Sequence, residues 1–139
     1  MTLERDPALT RFESARAASL ATTRPSGAPH VVPVTFAVVD EVIYTMVDRK
    51  PKTTTALQRL DNINVNPGVS LLVDHYEEDW TALWWVRVDG HATVSSEDND
   101  LAIARSCLQE KYSQYRDQSP DGPAIRIEIT GVSSWEWTR

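Results

Sequence analysis

The sequence predicts an α+β fold, an antiparallel β-barrel with helices at its periphery. Three observations carry this. Short runs rich in Val, Ile, Thr and aromatic residues recur along the chain, as β-strands require. Three segments of helical spacing interrupt them, and the joints between are short turn sequences. The 139 residues suit one domain, 1–139, large enough to bury a core.

Asp6 can cap a first helix and Pro7 fits its first turn, with Leu9, Phe12, Ala15 and Ala17 or Ala18 at helical spacing. Ser19–Thr23 reads as a strand, Pro25–Gly27 as a turn, and Pro29 to about Val39 as one long β segment. Asp40-Glu41 turns the chain into a strand over Val42–Val47. A short helix is expected from about Lys52 to Arg59, ended by Asp61-Asn62, before the turn Asn66-Pro67-Gly68. Val69–Asp74 is a fourth strand and Thr81–Val94 a long fifth, with a bulge or bend at Asp89-Gly90. Ser95-Ser96 opens a helix whose core stripe is Leu101, Ala104, Leu108 and Tyr112. After the loop 119–123, Ala124–Ile129 alternates strictly, and Val132–Trp137 adds a short edge strand.

Charge and composition bound the function. The 14 Lys and Arg against 20 Asp and Glu give a net charge of −6, which repels long nucleic acids. The single cysteine, Cys107, excludes an intramolecular disulfide and lies among apolar helix neighbours, as a buried structural thiol does. Residues 1–6 lack the apolar run of a signal peptide, and no stretch is long and apolar enough to span a bilayer. A cytoplasmic protein without nucleic-acid or membrane partners is expected.

Side-chain catalysis has little support. His30, His75 and His91 are dispersed, in no metal-binding spacing, and no nucleophile elbow or glycine-rich phosphate loop is present. His75 is either a general acid or a strand-end histidine with a structural hydrogen bond. The stretch Asp48-Arg49-Lys50-Pro51-Lys52-Thr53-Thr54-Thr55 concentrates cations, hydroxyls and a helix start. That combination suits an anion such as phosphate, and equally a solvated turn with threonines capping a helix. Five tryptophans are present, of which Trp80, Trp84 and Trp85 lie close together. Neighbours on a strand face opposite sides, so covering both Trp84 and Trp85 needs a dimer interface or a flat ring ligand on the second face.

The run from Ser19 through Pro25-Ser26-Gly27 to Val34 resembles the opening hairpin of the pyridoxamine 5′-phosphate oxidase-like split-barrel superfamily. With Lys50-Pro51-Lys52-Thr53, Val73-Asp74-His75-Tyr76-Glu77-Glu78-Asp79-Trp80 and Trp84-Trp85-Val86-Arg87, the chain looks most like its deazaflavin branch, which uses coenzyme F420. The resemblance spans nearly the whole chain. It implies a mainly antiparallel split β-barrel of six to seven strands with peripheral helices, and a homodimer with a cofactor groove along the subunit interface. In that reading Lys50 and Lys52 hold the cofactor phosphate with Pro51, Thr45 and Thr53. The backbone of Val32, Pro33 and Val34 borders the ring, and Trp80 of the second subunit covers the groove.

The expected activity is hydride transfer from reduced F420 to a small organic acceptor, with the cofactor carrying the chemistry and no metal involved. No catalytic side chain is assigned. FMN could use the same phosphate corner, which makes an FMN-dependent oxidase or reductase the alternative, beside a non-catalytic cofactor carrier. Single-strand nucleic-acid binding would use the tryptophans and the basic corner, and the acidic charge opposes it. Haem binding has three scattered histidines in its favour.

Overall fold

The computed structural model describes residues 1–47 and 54–138, with the backbone alone for 54–57. Seven antiparallel strands form one sheet: β1 (Ala18–Thr23), β2 (Pro29–Val34), β3 (Ala37–Val39), β4 (Val42–Met46), β5 (Gly68–His75), β6 (Trp84–Ser95) and β7 (Ala124–Glu136). Their order is β2-β1-β5-β6-β7-β4-β3, so β2 and β3 are the two edges. The helices are α1 (Arg5–Glu13), α2 (Thr54–Val65), α3 (Asp98–Lys111) and α4 (Gln114–Asp117).

Alternating side chains fill the barrel. Leu20, Ile43, Leu71, Val86, Val88, Ile125 and Ile127 are buried in one cluster with Phe12 of α1 and with Phe36. Strands from both ends of the sheet order, β2 through Val34 and β4 through Ile43, share that cluster, so the sheet curls round it. Each such side chain contributes about 1.5–3 kcal/mol on burial. A second cluster, with Tyr44, Met46, Ala104 and Leu108, holds α3 against β4. The architecture is the expected α+β split barrel with peripheral helices.

Several boundaries differ from the expectations. Glu4, not Asp6, occupies the N-cap of α1, and Ala18 is buried in β1 rather than on the helix stripe. The expected long segment from Pro29 to Val39 breaks at Thr35-Phe36. Phe36 sends its ring onto Phe12, centroids 4.7 Å apart, and its N–H donates to the Tyr112 hydroxyl at 3.2 Å instead of to a strand. Asp40 and Glu41 form the tight β3–β4 turn with φ of 50° and 62°, a region in which Asp is tolerated better than Glu. Helix α2 runs through Asp61-Asn62 to Val65, and its expected start near Lys52 lies outside the described residues.

Further along, β6 begins at Trp84 rather than Thr81. The Asp79 carboxylate accepts from the Thr81 N–H at 3.0 Å and from its hydroxyl at 2.6 Å, winding Trp80–Ala82 into a 3₁₀ turn. Ser95 ends β6 and its hydroxyl accepts from the Glu97 N–H at 3.2 Å, while Glu97 is the N-cap of α3. Strand β7 is continuous from Ala124 to Glu136 and lies between β6 and β4, so the tail is no separate edge strand. The irregularity expected at Asp89-Gly90 is a bulge. Asp89 pairs with Gly131 and Gly90 with Ile129, which leaves Thr130 of β7 as the extra residue. The short helix α4 was not foreseen: four residues give no readable period. No described helix is long and apolar enough to cross a membrane.

Candidate functional site

The sequence marks β2 as an edge. Pro29 and Pro33 stand opposite Thr23 and Ser19 of β1, and a proline without an N–H is tolerated where that position points away from the partner strand. The outward backbone groups of β2 at these positions therefore form a free edge. His30 and Val34 turn inward and are buried, Val32 packs half-buried on the core, and Val31 and Pro33 face out.

On the outer face of β1, β2, β5 and β6, Val31, Leu72, Tyr76 and Trp85 line a groove of about 620 Å³. Their apolar surface is open to water, with Val31 60% and Tyr76 64% exposed. Ser19 and Ser70 lie on its floor, and Asp74 and Arg87 bring one charge of each sign. Register decides the two tryptophans: Trp85 faces this groove, while Trp84 packs on the barrel core beneath α1. Trp84 also stacks on His75 (6.3 Å, 20°) under the Arg11 guanidinium, 4.8 Å from its ring. His75 in turn hydrogen-bonds the Glu77 carboxylate, a structural use of a strand-end histidine.

Behind β2, helix α2 presents a polar face. Asn62 is fully buried, donating to Thr22 Oγ1 at 3.0 Å and accepting from Gln58 Nε2 at 2.8 Å. One turn earlier stands Arg59. Its Nε is buried without a hydrogen-bond partner, and so is Nδ1 of His30. Burial holds the His30 imidazole below its usual pKa, with Arg24 and Arg59 adding to the effect. Burial likewise pulls the Arg59 guanidinium down, opposed by Tyr115. The Tyr115 hydroxyl itself meets Thr35 Oγ1 at 2.7 Å just beyond β2.

Among the expected site residues, Val32, Pro33 and Val34 lie together on the edge strand. Thr45 is on β4 at 1% exposure, paired with Ile125. Trp80 opens the 3₁₀ turn after β5 with 69% exposed. Lys50, Pro51, Lys52 and Thr53 lie outside the described residues. Among the described residues, no three His, Cys, Asp or Glu gather as a metal-holding group.

Arg59 and Asn62 were not foreseen, although a signal exists. Positions 59, 62, 63 and 66 have the spacing of one helical face, and that face carries Arg, Asn, Ile and Asn. Polar residues at core spacing mark a buried polar network.

Comparison with solved structures gives the same barrel. A conserved hypothetical protein of Mycobacterium tuberculosis is 24% identical, with a TM-score of 0.79 over 96% of this chain and 85% of that one. A FAD-binding protein of Mesorhizobium loti is 23% identical, with a TM-score of 0.72 over 96% of this chain and 95% of that one. The haem storage protein HutZ of Vibrio cholerae is 21% identical, with a TM-score of 0.70 over 94% of each chain. At these identities the likeness concerns the fold. None of the curated proteins matches the chain. The family model described as pyridoxamine 5′-phosphate oxidase matches residues 6–136, from within α1 to the end of β7. With the edge strand, the split barrel and that match in agreement, the chain belongs to the pyridoxamine 5′-phosphate oxidase family.

Proposed function

We propose that the protein is an oxidoreductase that holds the deazaflavin coenzyme F420 in a groove where two copies of the chain meet, and reduces a small organic acceptor there. The carrying observation is the open apolar face of Val31, Leu72, Tyr76 and Trp85 beside the free edge of β2. Exposed apolar grooves with a polar rim are the surfaces that partner chains and ligands use. In this reading a second copy covers it, and Asp74 and Arg87 supply opposite charges for a two-fold contact.

The chain's own work is binding, orientation and water exclusion. The β2 backbone at Val32, Pro33 and Val34 borders a flat ring, and the inward packing of Val32 and Val34 keeps that backbone rigid. Thr45 and the segment Lys50, Pro51, Lys52 and Thr53 take the phosphate, while Trp80 of the second copy shields the groove. When bound, the cofactor supplies the hydride. The scattered histidines agree with a site that needs little acid–base machinery of its own.

FMN is the second reading. It draws support from the FAD-binding protein of Mesorhizobium loti, whose barrel this chain shares. Tryptophan-fluorescence titration with F420 and FMN in parallel tests both. Quenching by F420 at low micromolar concentration supports the proposal, and preference for FMN moves the protein to flavin chemistry. Binding of neither overturns the cofactor reading.

A further inference from the structure

Arg5, Arg11, Arg87 and Arg126 each pair with a carboxylate, as Arg5 does with Glu41 at 2.6 Å. Among the described residues Arg16 and Arg116 have no such partner. Arg16 donates through Nη1 to the Lys111 carbonyl at 2.8 Å. Arg116 donates through Nε to the Gln109 carbonyl at 2.7 Å and through Nη2 to that of Glu110 at 3.1 Å. Lys111 Nζ likewise donates to the Glu13 carbonyl at 2.9 Å. A carbonyl fixes a cation in place but carries no formal charge to cancel it.

These three cations line one cavity of about 770 Å³, where the ends of α1 and α3 and the short α4 meet Thr35, the residue after β2. That size is usual for a small-molecule pocket. Every described charged residue lining it is a cation. The C-terminus of α3, whose last carbonyls Arg16 and Arg116 cap, offsets only about half a charge. The Glu13 carboxylate near Lys111 offsets one more. Positive charge is therefore left over, in a chain whose net charge is −6. Aromatic walls hold the cations where they are. Lys111 Nζ lies 3.9 Å from the centre of the Phe36 ring, and Lys111 and Arg16 flank the Tyr112 ring at 5.4 and 5.6 Å. Tyr112 is buried, and its hydroxyl donates to the Arg16 carbonyl at 2.8 Å. Donors ordered before a ligand arrives lower the entropic cost of binding it. An oxyanion suits them, because it offers several acceptor lone pairs and opposite charge at once.

We propose that this cavity binds a small organic oxyanion, a phosphate ester or a carboxylate, through Arg16, Lys111 and Arg116. The site is separate from the groove of Val31, Leu72, Tyr76 and Trp85, with which it shares no lining residue. It does not rest on the cofactor reading. The hydroxyls of Thr35 and Tyr115, bonded to each other at 2.7 Å, complete its polar wall. Binding of an anion also favours the ammonium form of Lys111, which burial and the neighbouring Arg16 disfavour.

The experiment titrates the ¹⁵N-labelled full chain with phenyl phosphate, citrate and uncharged phenol at constant ionic strength, and follows amide chemical shifts. Wild type, Arg16→Gln, Arg116→Gln and Arg5→Gln are compared, with thermal denaturation as the check on folding. Arg16 and Arg116 are exposed, so both variants should melt close to wild type. Expected are saturable shifts at residue 16, residue 35 and residues 111–116 with the anions and none with phenol. Arg16→Gln and Arg116→Gln should each weaken binding roughly tenfold. Arg5→Gln, which removes the same charge elsewhere, should bind as wild type does. Tighter binding of phenyl phosphate supports a phosphate ester as the ligand, and tighter binding of citrate a carboxylate. Shifts that never saturate, equal shifts with phenol, or equal weakening in Arg5→Gln overturn the site. Displacement of phenyl phosphate by F420 or FMN overturns its separation from the cofactor groove.

Discussion

Asn62 of α2 donates its amide to the hydroxyl of Thr22 in β1 at 3.0 Å, both side chains being buried. This bond ties the helix to the strand next to the edge. Asn62→Ala would leave Thr22 unsatisfied and detach Gln58, which also bonds Asn62. A loss of about 1–3 kcal/mol is expected, read as a lower urea midpoint. A midpoint unchanged from wild type would show that packing alone seats α2.

Gly90 allows the bulge. A Cβ there would lie 2.5 Å from Ile127 Cγ2 and 2.7 Å from the Glu128 carbonyl oxygen, closer than atoms tolerate. The β7 backbone has little room to yield because Glu128 is paired with Val42 on one side and His91 on the other. Gly90→Ala should cost about 1–3 kcal/mol or more, measured by thermal and chemical denaturation.

Lys111 gives a pH signature. Its Nζ donates to the Glu13 carbonyl at 2.9 Å and sits 3.9 Å from the centre of the Phe36 ring. Burial, helped by Arg16 and opposed by Glu13 and Cys107, brings its pKa to about 8 from an ordinary 10.5. The folded pKa is the lower one, so between these values the unfolded chain holds more protons and stability rises with pH. Lys111 should contribute a rise from pH 8 towards 10, which the raised Cys107 thiol opposes from pH 9 upward. The stability of wild type should therefore climb relative to that of Lys111→Met over this range. Parallel profiles for the two proteins would refute the assignment.

Cys107 should be inert in the native state. It is buried, its thiol donates to the Ala104 carbonyl at 3.3 Å, and burial pushes its pKa up to about 11. At pH 8 iodoacetamide should label it far faster in urea than in buffer, followed by intact-mass spectrometry.

The outer face should control assembly. Leu72, 39% exposed, stands beside Arg87 on the neighbouring strand. Leu72→Arg places two cations together in the proposed interface and should shift the protein from dimer to monomer in light scattering, leaving the melting temperature nearly unchanged. A wild type that is monomeric at assay concentrations would remove the shared groove.

Local chemistry made much of this protein legible from its residues alone. The period-two runs of β1, β4 and β5, the Asn66-Pro67-Gly68 turn and the Leu101-Ala104-Leu108 stripe each express a backbone or burial preference contained within a few neighbours. Prolines at 29 and 33 even mark the edge strand. Tertiary structure decided the rest. Tyr112, far along the chain, takes the Phe36 backbone and splits β2 from β3. Pairing with β6 along its whole length carries β7 past Thr130 as one strand, and pairing with His75 and Asp74 turns Trp84 and Trp85 to opposite faces. The buried Gln58–Asn62–Thr22 hydrogen bonds likewise form only when α2 docks on β1. A side chain's partners across the barrel are set by which strands become neighbours, and that is a property of the closed fold rather than of any short stretch of sequence.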